Sequence, residues 1–254
     1  MLLKAARLAL FYAALVAIWE VVALAEFWPP YLFPSPRAVF ESVWEYLENH
    51  LIIEALQTSL KRLAIGYLIS FGIGTVIGVL TGTVRWVDET VGSLVLGLQS
   101  LPSITWLPLA VLWFGLNEQA IIFVVLMGSL FSISISARAG VRSIPPLLRR
   151  SAQTFGARRW QMYRYVVLPG MLPSMVQGLR LGWSFAWRSL MAGELLFVSG
   201  GLGQLLNLGR DLNDMSLVVA IMLVIVAVGL TFDRLLFGRM EAWVLDRWGL
   251  AVSA

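Results

Sequence analysis

Residues 138–180 read RAGVRSIPPLLRRSAQTFGARRWQMYRYVVLPGMLPSMVQGLR, and this stretch holds eight arginines and no acidic residue. Apolar segments of membrane length flank it on both sides. A basic connection between two spans stays on the cytoplasmic side of a bilayer, because Lys and Arg are retained there during insertion. Leu148, Ala152 and Phe155 fall at i, i+4 and i+7 after Pro145-Pro146, which predicts a short helix with one apolar stripe, started by the prolines. Gly156 ends that helix, since glycine adopts the dihedrals of a sharp turn without a Cβ penalty. A second helix is predicted from about Ala157 to Val167, presenting Trp160, Tyr163 and Arg164, with Leu168-Pro169 breaking it. Together they make a compact helical knob whose apolar stripe needs a soluble partner to cover it. A rigid knob passes a partner's motion into the bilayer, which a flexible polar loop does not.

The rest of the chain fits that picture. It has 254 residues, of which 59% are hydrophobic and only 13% charged, and a mean hydropathy of +0.80. Such a composition excludes an ordinary soluble domain and predicts an all-α polytopic membrane protein. At about 20 residues per span there is room for roughly six transmembrane helices and no large soluble domain. Uncharged apolar runs lie at Leu8 to Trp19, Leu63 to Val84, Thr90 to Asn117, Gln119 to Ala137 and Met215 to Phe232, and a sixth, Ser174 to Val198, carries charge. The third and fourth are separated only by a tight turn at Leu116-Asn117-Glu118. The chain has no cysteine and one histidine, His50, expected in a loop, so disulfides, thiol catalysis and a zinc cluster are excluded. The net charge of +4 does not point to nucleic acid, because the arginines gather at the ends of apolar segments, where orientation in the bilayer explains them.

Lys4 and Arg7, Arg85, the 138–180 cluster, and Arg234, Arg239 and Arg247 alternate consistently to one side, so both termini are expected in the cytoplasm. The opposite loops hold Arg37, Lys61, Arg62 and Arg210, with Glu41, Glu45, Glu48 and Glu54 in the first of them. The expected organisation is an N-terminal transmembrane helix plus an outer interfacial segment over 1–60, followed by a core permeation domain over 61–254 with its cytoplasmic loop at 138–173. Within the first part, Trp28-Pro29-Pro30 and Pro34-Ser35-Pro36 precede a polar helix patterned on Val39, Val43, Tyr46 and Leu47, which is expected to lie along the outer surface. Lys4, Arg7, the following apolar run and Ala23-Leu24-Ala25 also have the pattern of a cleavable secretory signal, against which Trp19 and Glu20 sit oddly late. Either reading leaves the basic loop cytoplasmic.

Three features lie inside the spans. Gly66, Ser70, Gly74, Gly78 and Gly82 recur every four residues and predict a groove for close helix packing, with a weaker ridge at Gly178, Gly182, Ala186 and Gly193. Gln99, Ser100, Pro102, Ser103, Thr105, Trp106 and Pro108 interrupt the third span. Broken backbone at membrane depth is tolerated where protein or a water-filled cavity satisfies it, so Gln99, Ser100, Ser103 and Trp106 are candidates for a translocation path, a kinked packing helix being the other reading. Arg188 and Glu194 sit about 120° apart on the fifth span, so each needs a partner elsewhere. The face carrying Arg180, Ser184, Trp187, Arg188 and Met191 opposes the small-residue ridge, which makes Ser184, Trp187, Arg188 and Glu194 further path candidates, Arg188 as an anion contact. A structural pair with another span is the competing reading.

The residues resemble the inner-membrane permeases of binding-protein-dependent ABC importers. Their hallmark is Glu-Ala-Ala, three residues, Gly, nine residues, an aliphatic residue, one more, then Leu-Pro. Here the register gives Arg150-Ser151-Ala152, Gly156, Val166 and Leu168-Pro169, complete in spacing but with Arg150 in place of Glu and Ser151 in place of Ala. Pro102 through Gly115, and Gly193-Glu194-Leu195 with Gly201-Leu202-Gly203, look like the nitrate, sulfonate and taurine branch. The resemblance implies the type I importer permease architecture in a bacterial inner membrane. It further implies a homodimer of this subunit, a cytoplasmic ATPase dimer that holds ATP and Mg, and a periplasmic or lipid-anchored substrate-binding protein. The cargo it implies is a small oxyanion such as an aliphatic sulfonate, taurine or nitrate. In that scheme Arg150, Ala152, Phe155, Gly156, Ala157, Leu168 and Pro169 couple to the ATPase, and Arg150 implies a changed partner surface.

A phosphate-binding loop needs Gly, four residues and Gly-Lys-Ser/Thr, and the only lysines, Lys4 and Lys61, follow no such run, so no ATP hydrolysis, cofactor, metal or catalytic residue is expected in this chain. An ion-coupled secondary transporter is the alternative that explains Arg188 and Glu194, yet the chain lacks a visible internal repeat and such a carrier has no use for the knob. No carboxylate pair or Ser/His set converges on one depth to suggest an intramembrane enzyme.

Overall fold

The computed structural model describes residues 2–196 and 200–248, and all regular structure among them is helical. In chain order the α-helices are α1 (Leu2–Leu24), α2 (Pro36–Glu48), α3 (Leu51–Thr83), α4 (Arg85–Val87), α5 (Ser93–Gln99), α6 (Leu107–Phe114), α7 (Glu118–Arg142), α8 (Pro146–Thr154), α9 (Arg159–Met162), α10 (Leu168–Leu196), α11 (Leu202–Asp211), α12 (Met215–Thr231) and α13 (Gly238–Arg247). Wider π turns at Asp88–Gly92, Tyr163–Val167 and Phe232–Phe237 join neighbouring helices without a break. Four stretches are long and apolar enough to cross a membrane: Ala6–Leu24, Leu51–Thr83, Glu118–Arg142 and Met215–Arg247. A fifth is the pair Arg85–Gln99 and Ser103–Phe114, bent by 103°. The charged sixth segment is α10, whose 29 residues span about 43 Å of rise, ample for a bilayer. Val198, where the predicted run ends, lies outside the described residues.

The helices divide into two units by their contacts. The first holds the N-terminal helices through Ser59 together with residues 200–227. Ser35 caps α2, its Oγ accepting from the Ala38 N–H at 3.3 Å, and Pro36 takes the first turn, where a missing N–H costs nothing. Val39 is buried and Val43 and Tyr46 half-buried, the inward face that the sequence pattern predicts, while Leu47 is exposed. His50 sits at φ 60° in the turn before α3. Trp19 donates its indole N–H to the Pro34 carbonyl at 2.9 Å, and the Leu202 N–H donates to Ser59 Oγ at 3.0 Å.

The second unit runs from Leu60 and resumes at Val228. Its centre is α7, packed against both α3 and α10, which also touch each other where Tyr67 donates to the Leu179 carbonyl at 2.7 Å. The four-residue ridge of α3 lies against α7 as expected: a Cβ built on Gly74 would come 2.9 Å from the Leu130 carbonyl oxygen, and one on Gly82 would come 2.8 Å from Val141 Cβ. Ser70 reaches across and donates to the Leu126 carbonyl at 2.8 Å, which binds the two backbones as well as spacing them. The second ridge meets α7 in the same way, Gly182 against Ile133 and Gly193 against Ile121. Two expectations are corrected here. Lys61 and Arg62 do not lie in an outer loop, because α3 begins at Leu51 and carries both on its N-terminal half. Leu168-Pro169 does not break the hairpin's second helix: the chain stays helical from Arg159 to Leu196, and the π turn at Tyr163–Val167 shifts the bonding frame just ahead of Pro169, whose nitrogen has no hydrogen to donate.

Candidate functional site

The hairpin between α7 and α10 is built as its sequence dictates. Pro145 and Pro146 open α8, and the helix closes in a double bond pattern around Gly156: the Ala157 N–H donates to the Ala152 carbonyl at 3.0 Å and the Gly156 N–H to the Gln153 carbonyl at 2.9 Å. That pairing demands a left-handed residue at the turn, and Gly156 supplies it at φ 76°. The Arg158 N–H then donates to Gln161 Oε1 at 2.7 Å, half of a capping box at the start of α9.

The hairpin has a held side and an open side. Ile144, Val167 and Met171 are buried with Ile133, Ala137 and Val141 of α7, and Met162, Tyr163 and Val166 pack on that cluster. Arg149 donates to the Val141 carbonyl. On the other side Leu147, Leu148, Trp160 and Tyr165 are exposed, and Phe155 at the tip is 90% exposed. Arg150, Gly156 and Leu168 are exposed as well, with Ala152, Ala157 and Pro169 half-buried. Because α9 runs unbroken into α10, the hairpin is helically continuous with the span.

A second site forms where the broken third span faces α7 and α10. A cavity of about 300 Å³ is lined by Gln99, Ser100, Leu101, Pro102 and Ser103 of the break, by Met127, Gly128, Phe131 and Ser132 of α7, and by Phe185 and Arg188 of α10. Gly128 has to be glycine, because any Cβ there would run into Ser189 of α10. The Arg188 Nε donates to the Ser184 carbonyl at 3.1 Å, and its guanidinium carbon lies 5.1 Å from the Phe185 ring centroid. Of the eight path candidates read from the sequence, the structure gathers Gln99, Ser100, Ser103 and Arg188 around this cavity.

The other four lie elsewhere. Trp106 packs between Phe123 and Phe131, at centroid distances of 6.5 and 6.2 Å. Ser184 donates to the Arg180 carbonyl at 3.2 Å. Trp187 is buried rather than on an open face, stacked on Trp183 at 6.2 Å, with Gly229 beside its indole. Glu194 is fully buried, with Arg62 of α3 donating to it at 3.0 Å. Sequence reasoning missed Met127, Gly128, Phe131, Ser132 and Phe185, which carry no signal of their own on otherwise apolar helices. It also missed Arg62, whose signal was a cation directly before an apolar run, four residues ahead of Gly66.

Other charges within the helices form pairs as well. Arg62 donates to Glu118 at 3.0 Å as well as to Glu194. Asp88 faces Arg138 at 2.6 Å and Arg142 beside it. Arg180 grips Asp233 with two bonds of 2.6 and 2.7 Å and Glu241 with a third of 2.8 Å.

Several apolar helices of membrane length, one bent pair among them, a core of small-residue packing and an exposed helical hairpin are the architecture of a polytopic membrane protein. The family profile described as binding-protein-dependent transport system inner membrane component matches residues 74–241, and the chain belongs to that family as an ABC importer permease subunit. It is 34% identical over 227 residues to a putative ABC transporter permease protein of Methanocaldococcus jannaschii, covering 87% of this chain and 85% of the relative. It is 29% identical to the taurine transport system permease protein of Escherichia coli strain K12, over 91% of this chain and 87% of that one. The riboflavin transport system permease protein of Chloroflexus aurantiacus is also 29% identical, over 92% and 87%. Among solved structures, the inward-facing MetNI methionine ABC transporter shares the fold with a TM-score of 0.68 at 22% identity, over 76% of this chain and 96% of that chain.

Proposed function

We propose that this subunit carries a small oxyanion, of the aliphatic sulfonate, taurine or nitrate kind, across the inner membrane of a bacterial cell, driven by a separate ATPase. Two copies form the pathway, an ATPase dimer docks beneath them, and a periplasmic or lipid-anchored binding protein delivers the substrate above. Both termini lie in the cytoplasm. ATP and Mg belong to the partner, and no cofactor resides in this chain. The observation that carries the reading is the hairpin 146–167, with its inner side locked into the core beneath α7 and its outer side open. Arg150, Ala152, Phe155, Gly156 and Ala157 form the docking face, and Leu168 and Pro169 lie where the lever enters the span. The substrate class is supported by the similarity to taurine and sulfonate permeases and by the cationic cavity at Arg188.

The test is uptake by liposomes holding the permease with its ATPase and binding protein. ATP-dependent accumulation of taurine, ethanesulfonate or nitrate is expected. Uptake driven by an ion gradient in the permease alone would instead favour a secondary carrier.

A further inference from the structure

We infer that the cavity beside Arg188 recognises the substrate in transit, seating the anionic head of a sulfonate on the guanidinium and its short apolar tail on the facing side chains, so that the permease selects as well as conducts. This rests on the oxyanion reading above. Arg62, Arg138, Arg142 and Arg180 each meet a carboxylate, whereas Arg188 meets none among the described residues and uses only its Nε, on the Ser184 carbonyl. A guanidinium without a countercharge at membrane depth is costly, and a passing anion supplies what the protein withholds. The two terminal nitrogens keep the donors of a planar fork, a shape that two sulfonate oxygens match.

The lining offers such a ligand both kinds of contact. Gln99, Ser103 and Ser132 supply neutral hydrogen-bonding groups, and none of the three forms a side-chain hydrogen bond among the described residues. Met127, Phe131 and Phe185 supply apolar surface. At about 300 Å³ the cavity stands at the small end of ligand pockets, which favours a compact ion with a short chain over a large flat ring.

The experiment uses the complete complex in liposomes, with radiolabelled ethanesulfonate and butanesulfonate presented on saturating binding protein. Arg188→Gln should lower the maximal uptake rate at least tenfold, and Arg188→Lys should keep a third or more of it. Met127→Trp, which shortens the tail side, should shift the ethanesulfonate-to-butanesulfonate ratio at least threefold toward the shorter chain. Equal rates in wild type and both Arg188 variants overturn the inference, as does an equal loss in Gln and Lys with an unchanged ratio in Met127→Trp. A wild-type complex that accumulates riboflavin and no oxyanion overturns the substrate class itself, which separates that failure from failure of the site.

Discussion

Arg62 and Glu194, 132 positions apart in the chain, meet at 3.0 Å with side chains 2% and 0% exposed. Arg62 also holds Glu118, at the start of α7, so one guanidinium ties α3, α7 and α10 together at a single end of the second unit. Breaking a buried pair by removing one partner costs up to about 3–5 kcal/mol, and Glu194→Ala takes the buried carboxylate from Arg62 and leaves it the exposed Glu118. Glu194→Ala should therefore unfold at lower temperature in detergent. The double variant Arg62→Met with Glu194→Met should recover most of the loss, since the charge it leaves behind, Glu118, is exposed. A double variant no more stable than Glu194→Ala would show that the pair contributes something other than charge compensation.

Gly78 and Gly72 lie on different faces of α3 and should answer differently to the same change. A Cβ on Gly78 would stand 2.5 Å from the Ala137 Cβ, whereas nothing lies within 4 Å of one on Gly72. Gly78→Val forces α3 away from α7 and should cost about 1–3 kcal/mol. Gly72→Val should leave the melting temperature and the yield of folded protein close to wild type. Equal effects at the two positions would contradict the packing described.

Arg180 grips Asp233 through two nitrogens and Glu241 through a third, a fork that lysine cannot reproduce. Arg180→Lys should lower the melting temperature although the charge is kept. Asp233→Asn should do the same, and the two changes combined should cost clearly less than their sum, as expected for partners in one interaction. Strict additivity would mean that the fork is not a stabilising contact.

The turn at Gly156 tests the hairpin's geometry. Its φ of 76° excludes β-branched residues, and the left-handed conformation costs them about 1–2 kcal/mol. Gly156→Val should weaken both ATPase co-purification and ATP-driven uptake, while Gly156→Asn, a residue that adopts this conformation locally, should retain more of each. Identical behaviour of the two variants would argue that the turn's shape is not what the partner reads.

Much of this was legible in the sequence because it repeats or breaks a period. The four-residue ridge on α3, the prolines around Gln99 to Pro108 and the Gly156 turn each act locally, and each is where it was expected. What escaped was decided by tertiary contact. Arg62 read as a loop cation because apolarity begins at Leu63, but a buried carboxylate from α10 allows the helix to start at Leu51 instead. Trp187 read as open because helical spacing alone cannot show that it stacks on Trp183 with Gly229 of another helix beside it. Leu168-Pro169 read as a stop because proline usually ends a helix, and a π turn ahead of it is invisible to periodicity.

The proposed role of the hairpin as the lever of a separate ATPase is tested most directly from its tip. The chain has no cysteine, so Phe155→Cys introduces a single thiol at a position that is 90% exposed in this chain. A benzophenone maleimide attached there and irradiated in the assembled membrane complex should produce one dominant adduct with the ATPase subunit, at reduced yield when Gly156→Val is also present. An adduct with the substrate-binding protein, or none with the ATPase in a complex that still transports, would contradict the account.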